Sequence, residues 1–195
     1  MSLSINDFSK GEVLGKGVFG VVYRATKKTK KKTNGYTDCV LKYINISKST
    51  TLKKIYKTAK QNILQIKNED GKLRNISEIK NDVFNDVLSE INLLKGLNHE
   101  NIIQLYDWFL DDNGDSGQYI VLVLEYAQCG DLIQLIKNER VKLNDVKIIL
   151  LQILDGLEYL HNQNIIHRDL KLPNILVTSK NPIKIKIGDF GLSIF

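Results

Sequence analysis

Cysteine and long apolar runs are both scarce in this chain of 195 residues. Its two cysteines, Cys39 and Cys129, lie far apart without the spacing of metal ligands, so we expect two reduced thiols and no disulfide. No stretch reaches the ~20 unbroken apolar residues that span a bilayer, and residues 1–7 lack the pattern of a secretory signal. We therefore expect no membrane span and a cytoplasmic or nuclear location.

Arginine is also rare, with 4 residues against 24 lysines, and the positive charge is unevenly distributed. Residues 24–80 hold 16 basic residues and only 4 acidic ones. Such a stretch can attract nucleic acid, anionic lipid or an acidic protein. This stretch lacks the interleaved aromatic residues on which single-stranded bases would stack, so we favour a solvated surface and expect no nucleic-acid partner.

The spacing of apolar residues predicts an α+β fold, with a β-rich first half and a helical second half. Alternation and turn residues predict strands at residues 11–15, 21–25, 39–44, 102–109 and 118–125. Apolar residues at steps of three and four predict helices within 47–66, over about 82–96 and after residue 130. The change of character falls near residues 126–130, and we expect a ligand in a cleft between the two halves.

A glycine-rich segment joins the first two predicted strands. Gly15, Gly17 and Gly20 form a G-x-G-x-x-G-x-V pattern that ends at Val22. Glycine allows the main chain to approach phosphate groups closely. A dinucleotide-binding fingerprint would have a helix after the third glycine, whereas the residues that follow predict a strand, so a phosphate-covering hairpin and a plain glycine-rich hairpin both remain open.

Lys42 and Glu90 are charged residues in apolar surroundings. Lys42 follows Val40 and Leu41 in a predicted strand, and Glu90 lies on the apolar stripe of the predicted helix over about 82–96. A lysine that holds phosphate and is oriented by a helix carboxylate would explain both residues. Two ordinary exposed charges are the alternative.

The most specific segments lie in the second half of the chain. Residues 167–174 read His-Arg-Asp-Leu-Lys-Leu-Pro-Asn, and residues 187–191 read Ile-Gly-Asp-Phe-Gly. Together with the glycine segment, Lys42 and Glu90, in that order, they resemble the motifs of the eukaryotic-type protein kinase family. The resemblance covers nearly the whole chain apart from residues 47–80.

This resemblance implies a two-lobed kinase fold and specific roles for four residues of the second half. Asp169 would be the catalytic aspartate that orients a substrate hydroxyl, and Lys171 would neutralise charge on the transferring phosphoryl group. A basic residue at position 171 is typical of serine/threonine kinases. Asn174 and Asp189 would be the ligands of Mg²⁺.

The resemblance also implies a site for ATP. Lys42 would hold the α- and β-phosphates, with Glu90 fixing it. The glycine segment, including Leu14, would cover the nucleotide, and the main chain of Glu125 and Ala127 would bind adenine. The remaining residues implied at the nucleotide are Val22, Val40 and Leu176 at the ring and Asp131 at the ribose.

Two features depart from the family pattern. The connection from Lys42 to Glu90 is unusually long, so residues 47–80 are interpreted as an insertion that could control the helix carrying Glu90. After residue 191 only four residues remain, so we expect a fragment, a truncated gene model or a natural short form with little transferase activity. The predicted domains are an N-lobe over residues 1–126 and a partial C-lobe over 127–195.

Three hypotheses about function follow. The first is an enzyme that transfers the γ-phosphoryl group of ATP, with Mg²⁺, to serine or threonine hydroxyls of a protein substrate. The second is a nucleotide-binding regulatory module without turnover. The third is a lysine-rich adaptor that acts through residues 24–80.

Overall fold

The computed structural model describes residues 3–17, 20–28, 36–45, 91, 94–112, 118–139 and 141–189. The strands in these ranges are β1 (Phe8–Gly17), β2 (Gly20–Lys27), β3 (Asp38–Asn45), β4 (Leu105–Asp112), β5 (Gln118–Leu124), β6 (Ile175–Lys180) and β7 (Ile183–Ile187). The longer helices are α1 (Leu132–Asn138) and α2 (Leu143–Asn162), and short 3-10 turns span Ile5–Asp7 and Leu172–Asn174. None of the helices described is long and apolar enough to cross a membrane.

The chain folds into two compact units. The first unit combines Met1–Gly96 with Leu105–Leu124, and the second combines Leu97–Gln104 with Glu125–Phe195. The lobes predicted at residues 1–126 and 127–195 stay a proposal. The predicted insertion over residues 47–80 lies outside the described residues, as does most of the helix predicted over about 82–96, of which residue 91 and residues 94–96 are helical.

The first unit is built on an antiparallel sheet with the strand order β1-β2-β3-β5-β4. Successive side chains of β3 point to opposite faces, so Leu41 and Tyr43 share one face and Lys42 lies on the other. Leu41 is fully buried in a core cluster whose other buried members are Phe8, Ala25, Cys39, Tyr43, Phe109, Val121 and Val123. This apolar face anchors the strand that carries Lys42.

The predicted start of β4 is wrong. The sequence predicts a strand over residues 102–109, but β4 begins at Leu105. Ile102 instead forms an isolated parallel bridge with Ile187, and the N–H of Ile103 donates to the Ile187 carbonyl at 2.9 Å. The main-chain groups of Asn101 and Ile103 are therefore bonded to Ile187 of β7, which explains why this segment belongs to the second unit.

In the second unit, α2 packs on β7 through a buried polar network. Asn101 is buried, and its Nδ2 donates to Gln152 Oε1 at 3.2 Å and to the Ile185 carbonyl at 3.1 Å. Ile185 in turn donates its N–H to Gln152 Oε1 at 2.9 Å. Buried polar groups that are all bonded hold one register of packing. The network therefore fixes β7, whose end precedes Asp189.

The helix predicted after residue 130 is confirmed, but only part of its apolar face is buried. Ile149 and Leu160 are buried in the second unit. Leu151, which shares the predicted apolar face, is 66% exposed. The helical period is therefore a better guide to secondary structure here than to burial.

The buried thiol of Cys39 offers a test of the core cluster in the first unit. This thiol is fully buried, and burial raises its pKa from 9.0 to about 11, with a further increase from the Asp38 carboxylate. The unfolded thiol ionises first as pH rises, so this contribution to stability is complete below pH 9.0 and is lost between pH 9.0 and about 11. We expect wild type to lose more unfolding free energy in that window than Cys39→Ala, by about 1.4 kcal/mol per pH unit.

Urea titrations of both proteins at pH 8 and at pH 11 measure this difference. Equal losses in wild type and Cys39→Ala would contradict the assignment, because every other titrating group is common to the two proteins.

Candidate active site

The glycine-rich segment forms a hairpin in the first unit. β1 and β2 pair antiparallel, with Gly15 opposite Val22 and Gly17 opposite Gly20, and residues 18–19 lie outside the described residues. Leu14 lies at a register shift in β1 and is exposed. The strand expected after the third glycine is confirmed, because β2 begins at Gly20. A helix, as in a dinucleotide-binding fingerprint, does not start there.

Gly20 has a conformation that only glycine adopts readily. Its φ is +145°, and a Cβ atom there would collide with the carbonyl oxygen of Tyr43 on the neighbouring strand. At Gly15 a Cβ would have nothing within 4 Å. Within the first unit, a side chain at position 20 would therefore clash, whereas a Cβ atom at position 15 would meet no neighbouring atom.

Three residues that the resemblance assigns to ATP lie on one face of the sheet. Val22 and Lys42 are direct cross-strand partners, and Val40 is two residues before Lys42. This face is opposite the one that buries Leu41. Glu90 lies outside the described residues, so its pairing with Lys42 stays a prediction.

The loop before Asp169 is held by a buried histidine. His167 Nε2 lies 2.9 Å from the carbonyl oxygen of Gly188, and its Nδ1 accepts the N–H of Asp169 at 3.3 Å. Arg168 and Asp189 both have φ of 60°, a left-handed conformation that is uncommon for such residues and costs of order 1 kcal/mol or more. Strain of this kind is concentrated at functional sites, which supports a role for both segments.

Asp169, Lys171 and Asn174 form one polar cluster in the second unit. Lys171 Nζ lies 2.8 Å from Asp169 Oδ2 and 3.0 Å from Oδ1. Asn174 is buried, and its Nδ2 donates to Asp169 Oδ2 at 3.0 Å and to the Asp169 carbonyl at 2.8 Å. The 3-10 turn Leu172–Asn174 makes these contacts possible, because it brings residue 174 back toward residue 169.

The cluster also sets the charge of Asp169. The hydrogen bond from Lys171 lowers the pKa of the Asp169 carboxyl below its ordinary value of 3.8, and the Asn174 hydrogen bond acts in the same direction. Asp169 is therefore an anion at neutral pH, already paired with a cation. A carboxylate in this state can accept a proton.

The residues assigned to Mg²⁺ provide a suitable set of donor atoms. Asn174 uses Nδ2 for both bonds to Asp169, so its amide oxygen takes no part in them. The Asn174 carbonyl accepts the N–H of Gly188 at 2.8 Å, which ties this residue to the one before Asp189. No group of three or more His, Cys, Asp or Glu residues in the described ranges could hold a metal ion. Two oxygen donors suffice for Mg²⁺, which usually keeps water and substrate phosphates as its other ligands.

The segment assigned to adenine is fixed at one end. The N–H of Glu125 donates to the Gln104 carbonyl at 2.9 Å, and the Ala127 carbonyl accepts the N–H of Gly130 at 3.4 Å. In the described part of the chain, the Glu125 carbonyl oxygen and the Ala127 N–H take part in no hydrogen bond. The Glu125 carbonyl is an acceptor and the Ala127 N–H is a donor, so together they can form hydrogen bonds with the edge of a base.

Two other predicted residues lie close to this segment. Leu176 and Asp131 form an isolated antiparallel bridge. Asp131 is also the N-cap of α1, where its Oδ1 accepts the N–H of Gln134 at 2.8 Å. Asp131 thus has a structural role that the sequence analysis missed, although an aspartate just before a helix is the usual signal for an N-cap. Its contact with ribose stays a prediction.

Lys186 of β7 is a further charged residue near this segment that was not predicted from the sequence. Its Nζ lies 3.0 Å from Glu125 Oε2, although the two residues are 61 positions apart. No local sequence pattern indicates such a pair, because it depends on the path of the chain between them.

Comparisons with known proteins give consistent matches. The profile of the protein kinase domain matches residues 48–195. Aurora/IPL1-related protein kinase 2 of Caenorhabditis briggsae is 34% identical over 193 residues, which are 98% of this chain and 50% of that protein. Serine/threonine-protein kinase PLK4 of Nematostella vectensis is 32% identical over 195 residues, 99% of this chain and 16% of that protein.

A solved structure also agrees. The crystal structure of Rad53 1-466 in complex with AMP-PNP aligns with a TM-score of 0.68 and 27% identity, covering 96% of this chain and 39% of that one. The α+β, kinase-like fold class is thereby confirmed. The chain spans half or less of the length of these relatives. Because the domain profile matches most of the sequence and the motifs occur in the family's order, the chain belongs to the protein kinase family.

Proposed function

We propose that the protein is a serine/threonine kinase that transfers the γ-phosphoryl group of ATP to a protein hydroxyl, with Mg²⁺ as cofactor. The observation that carries the proposal is the cluster of Asp169, Lys171 and Asn174, joined by contacts of 2.8–3.0 Å. Lys171 and the names of the relatives support serine or threonine as the acceptor. Protein substrate and a cytoplasmic location belong to the same proposal.

In the proposed reaction, Asp169 orients the substrate hydroxyl and accepts its proton. The hydroxyl oxygen forms a bond to the γ-phosphorus while the bond from that phosphorus to the β–γ bridging oxygen breaks, and ADP leaves. Lys171, which already lies at 2.8 Å from the Asp169 carboxylate, supplies positive charge beside the transferring group. Bound Mg²⁺, held by Asn174 and Asp189, would offset the negative charge of the phosphates.

Each residue that the resemblance implies at the nucleotide is proposed to have the role given above. In the first unit these are Lys42, Glu90 and the residues Leu14, Gly15, Gly17, Gly20, Val22 and Val40. In the second unit they are Glu125, Ala127, Asp131 and Leu176. The open Glu125 carbonyl and Ala127 N–H support the second set. We further propose that residues 47–80 act on the helix that the sequence predicts over about 82–96, which includes Glu90.

The proposal predicts that ATP stabilises the full chain and that Mg²⁺ strengthens the effect. A ligand present at about 100 times its Kd stabilises a protein by about 2.7 kcal/mol, which a thermal melt detects readily. Incubation with labelled ATP, Mg²⁺ and a generic basic protein should then place phosphate on serine or threonine.

The outcomes separate the three hypotheses. Stabilisation without phosphate transfer would favour the regulatory module, and no stabilisation by ATP would favour the lysine-rich adaptor. Transfer that proceeds equally well with excess chelator would contradict the role of Mg²⁺.

A further inference from the structure

Lys186 is a mostly buried lysine that the proposed reaction does not use. It lies in β7 between Ile185 and Ile187, which are both fully buried on the opposite face of the strand. Its own side chain is only 16% exposed. A lysine in such a position requires an anionic or hydrogen-bonding partner, because burying an unpaired charge costs several kcal/mol.

The partner is the segment assigned to adenine. Lys186 Nζ lies 3.0 Å from Glu125 Oε2 and donates to the Ile102 carbonyl at 3.2 Å. The same Glu125 oxygen accepts the N–H of Gln104 at 3.2 Å. Since the N–H of Glu125 also donates to the Gln104 carbonyl, Glu125 is held at its main chain and at its side chain. Lys186 is the cation that keeps this carboxylate in place.

Two main-chain groups of the segment held by Lys186, one in Glu125 and one in Ala127, are open for a ligand. The Glu125 carbonyl is an acceptor and the Ala127 N–H is a donor, with no other hydrogen bonds in the described part of the chain. Adenine presents an amino donor beside a ring-nitrogen acceptor, and guanine presents a carbonyl and an N–H in the reverse order. Holding Glu125 still therefore favours adenine over guanine.

We propose that Lys186 is a positioning residue for base selection: its contact with the Glu125 carboxylate fixes the main chain of residues 125–127 in the orientation that pairs with adenine. The inference rests on the proposed nucleotide binding. Lys186 also lies opposite Leu176 in the β6–β7 pair. Leu176 is one of the residues assigned to the adenine ring, whereas Lys186 has no such assignment.

The test compares the affinities of the full chain for ATP, GTP and magnesium tripolyphosphate. Lys186→Met retains the length of the side chain but leaves the Glu125 carboxylate with the Gln104 N–H alone. We expect the preference for ATP over GTP to fall about tenfold, equivalent to about 1.4 kcal/mol, while tripolyphosphate affinity stays within about twofold. Lys186→Arg retains the charge and should keep most of the preference.

Lys184→Met is the matched control. Lys184 is two residues earlier on the same face of β7, but it is exposed, so its removal should leave all three affinities unchanged. If Lys186→Met does not fold, the double variant Glu125→Gln with Lys186→Met removes the unpaired charge and is expected to show the same loss of preference.

The results distinguish this inference from the proposed function. An unchanged ratio of ATP to GTP affinity in Lys186→Met, with ATP still bound, would overturn the role of Lys186 and leave the proposed function intact. A parallel loss of ATP, GTP and tripolyphosphate binding would assign Lys186 to folding alone and would also overturn the inference. Wild type that binds neither nucleotide would reject both.

Discussion

Asp169→Asn is expected to lower the rate of phosphoryl transfer at least about 10³-fold while leaving ATP affinity within a few-fold of wild type. General-base catalysis contributes about 10²–10⁴-fold, and an amide cannot accept the hydroxyl proton. The substitution also removes the charge that pairs with Lys171 at 2.8 Å, so Lys171 would no longer be held in its present position. Single-turnover measurements with saturating ATP and Mg²⁺ report the chemical step directly.

Asp155→Asn is the control for this measurement. Asp155 lies in the same unit and is also an aspartate, but its side chain is 56% exposed and its nearest recorded partner is His99 at 3.7 Å. Exposed ion pairs contribute about 0–1 kcal/mol, so the control should keep the wild-type rate. Asp169→Asn with more than a tenth of wild-type activity would argue against Asp169 as the proton acceptor.

Gly20→Ala is expected to lower the free energy of unfolding by about 3 kcal/mol or more, which is at the upper end of single-residue effects. A Cβ atom at position 20 would lie 2.8 Å from the carbonyl carbon of Tyr43, and the atoms it meets are main chain in β3. Neither strand can move without breaking the pairing that places Lys42. The φ of +145° adds strain whatever space is made.

Gly15→Ala provides the comparison within the same hairpin. With nothing within 4 Å of its Cβ, the change is expected to alter stability by less than about 1 kcal/mol. Urea unfolding followed by tryptophan fluorescence is suitable, because Trp108 packs against a core cluster of the first unit. Equal losses in the two variants would show that the main-chain contact between Gly20 and Tyr43 is not what makes the third glycine necessary.

Much of the first sheet could be predicted because its signals are local. The apolar stretch over residues 39–44, interrupted only by Lys42, and the turn residues before it are sufficient to place a strand there. The start of β4 could not be found in this way. Residues 102–109 read as one strand, and only the bridge between Ile102 and Ile187, 85 positions apart, shows that Ile102 does not belong to the strand that begins at Leu105.

The candidate active site shows the same limit. Asp169, Lys171 and Asn174 are within five positions of one another, so a motif contains the whole cluster. The pair of Lys186 and Glu125 depends on the path of the chain over 61 positions and leaves no pattern in the sequence. Charged residues that serve a site from a neighbouring strand are therefore found only when the fold is known.

The assignment of residues 97–104 to the second unit has a consequence for dividing the polypeptide. The chain passes from one unit to the other at three places, after Gly96, after Gln104 and after Leu124. A single cut after Leu124 would leave Asn101 and Ile103 on the first fragment, although the Asn101 carbonyl accepts the Ile187 N–H at 2.8 Å and the Ile103 N–H donates to the Ile187 carbonyl at 2.9 Å. Each fragment would then lack hydrogen-bonding partners that lie on the other. A split reporter or a domain swap built on this fold must therefore keep residues 97–104 together with residues 125–195.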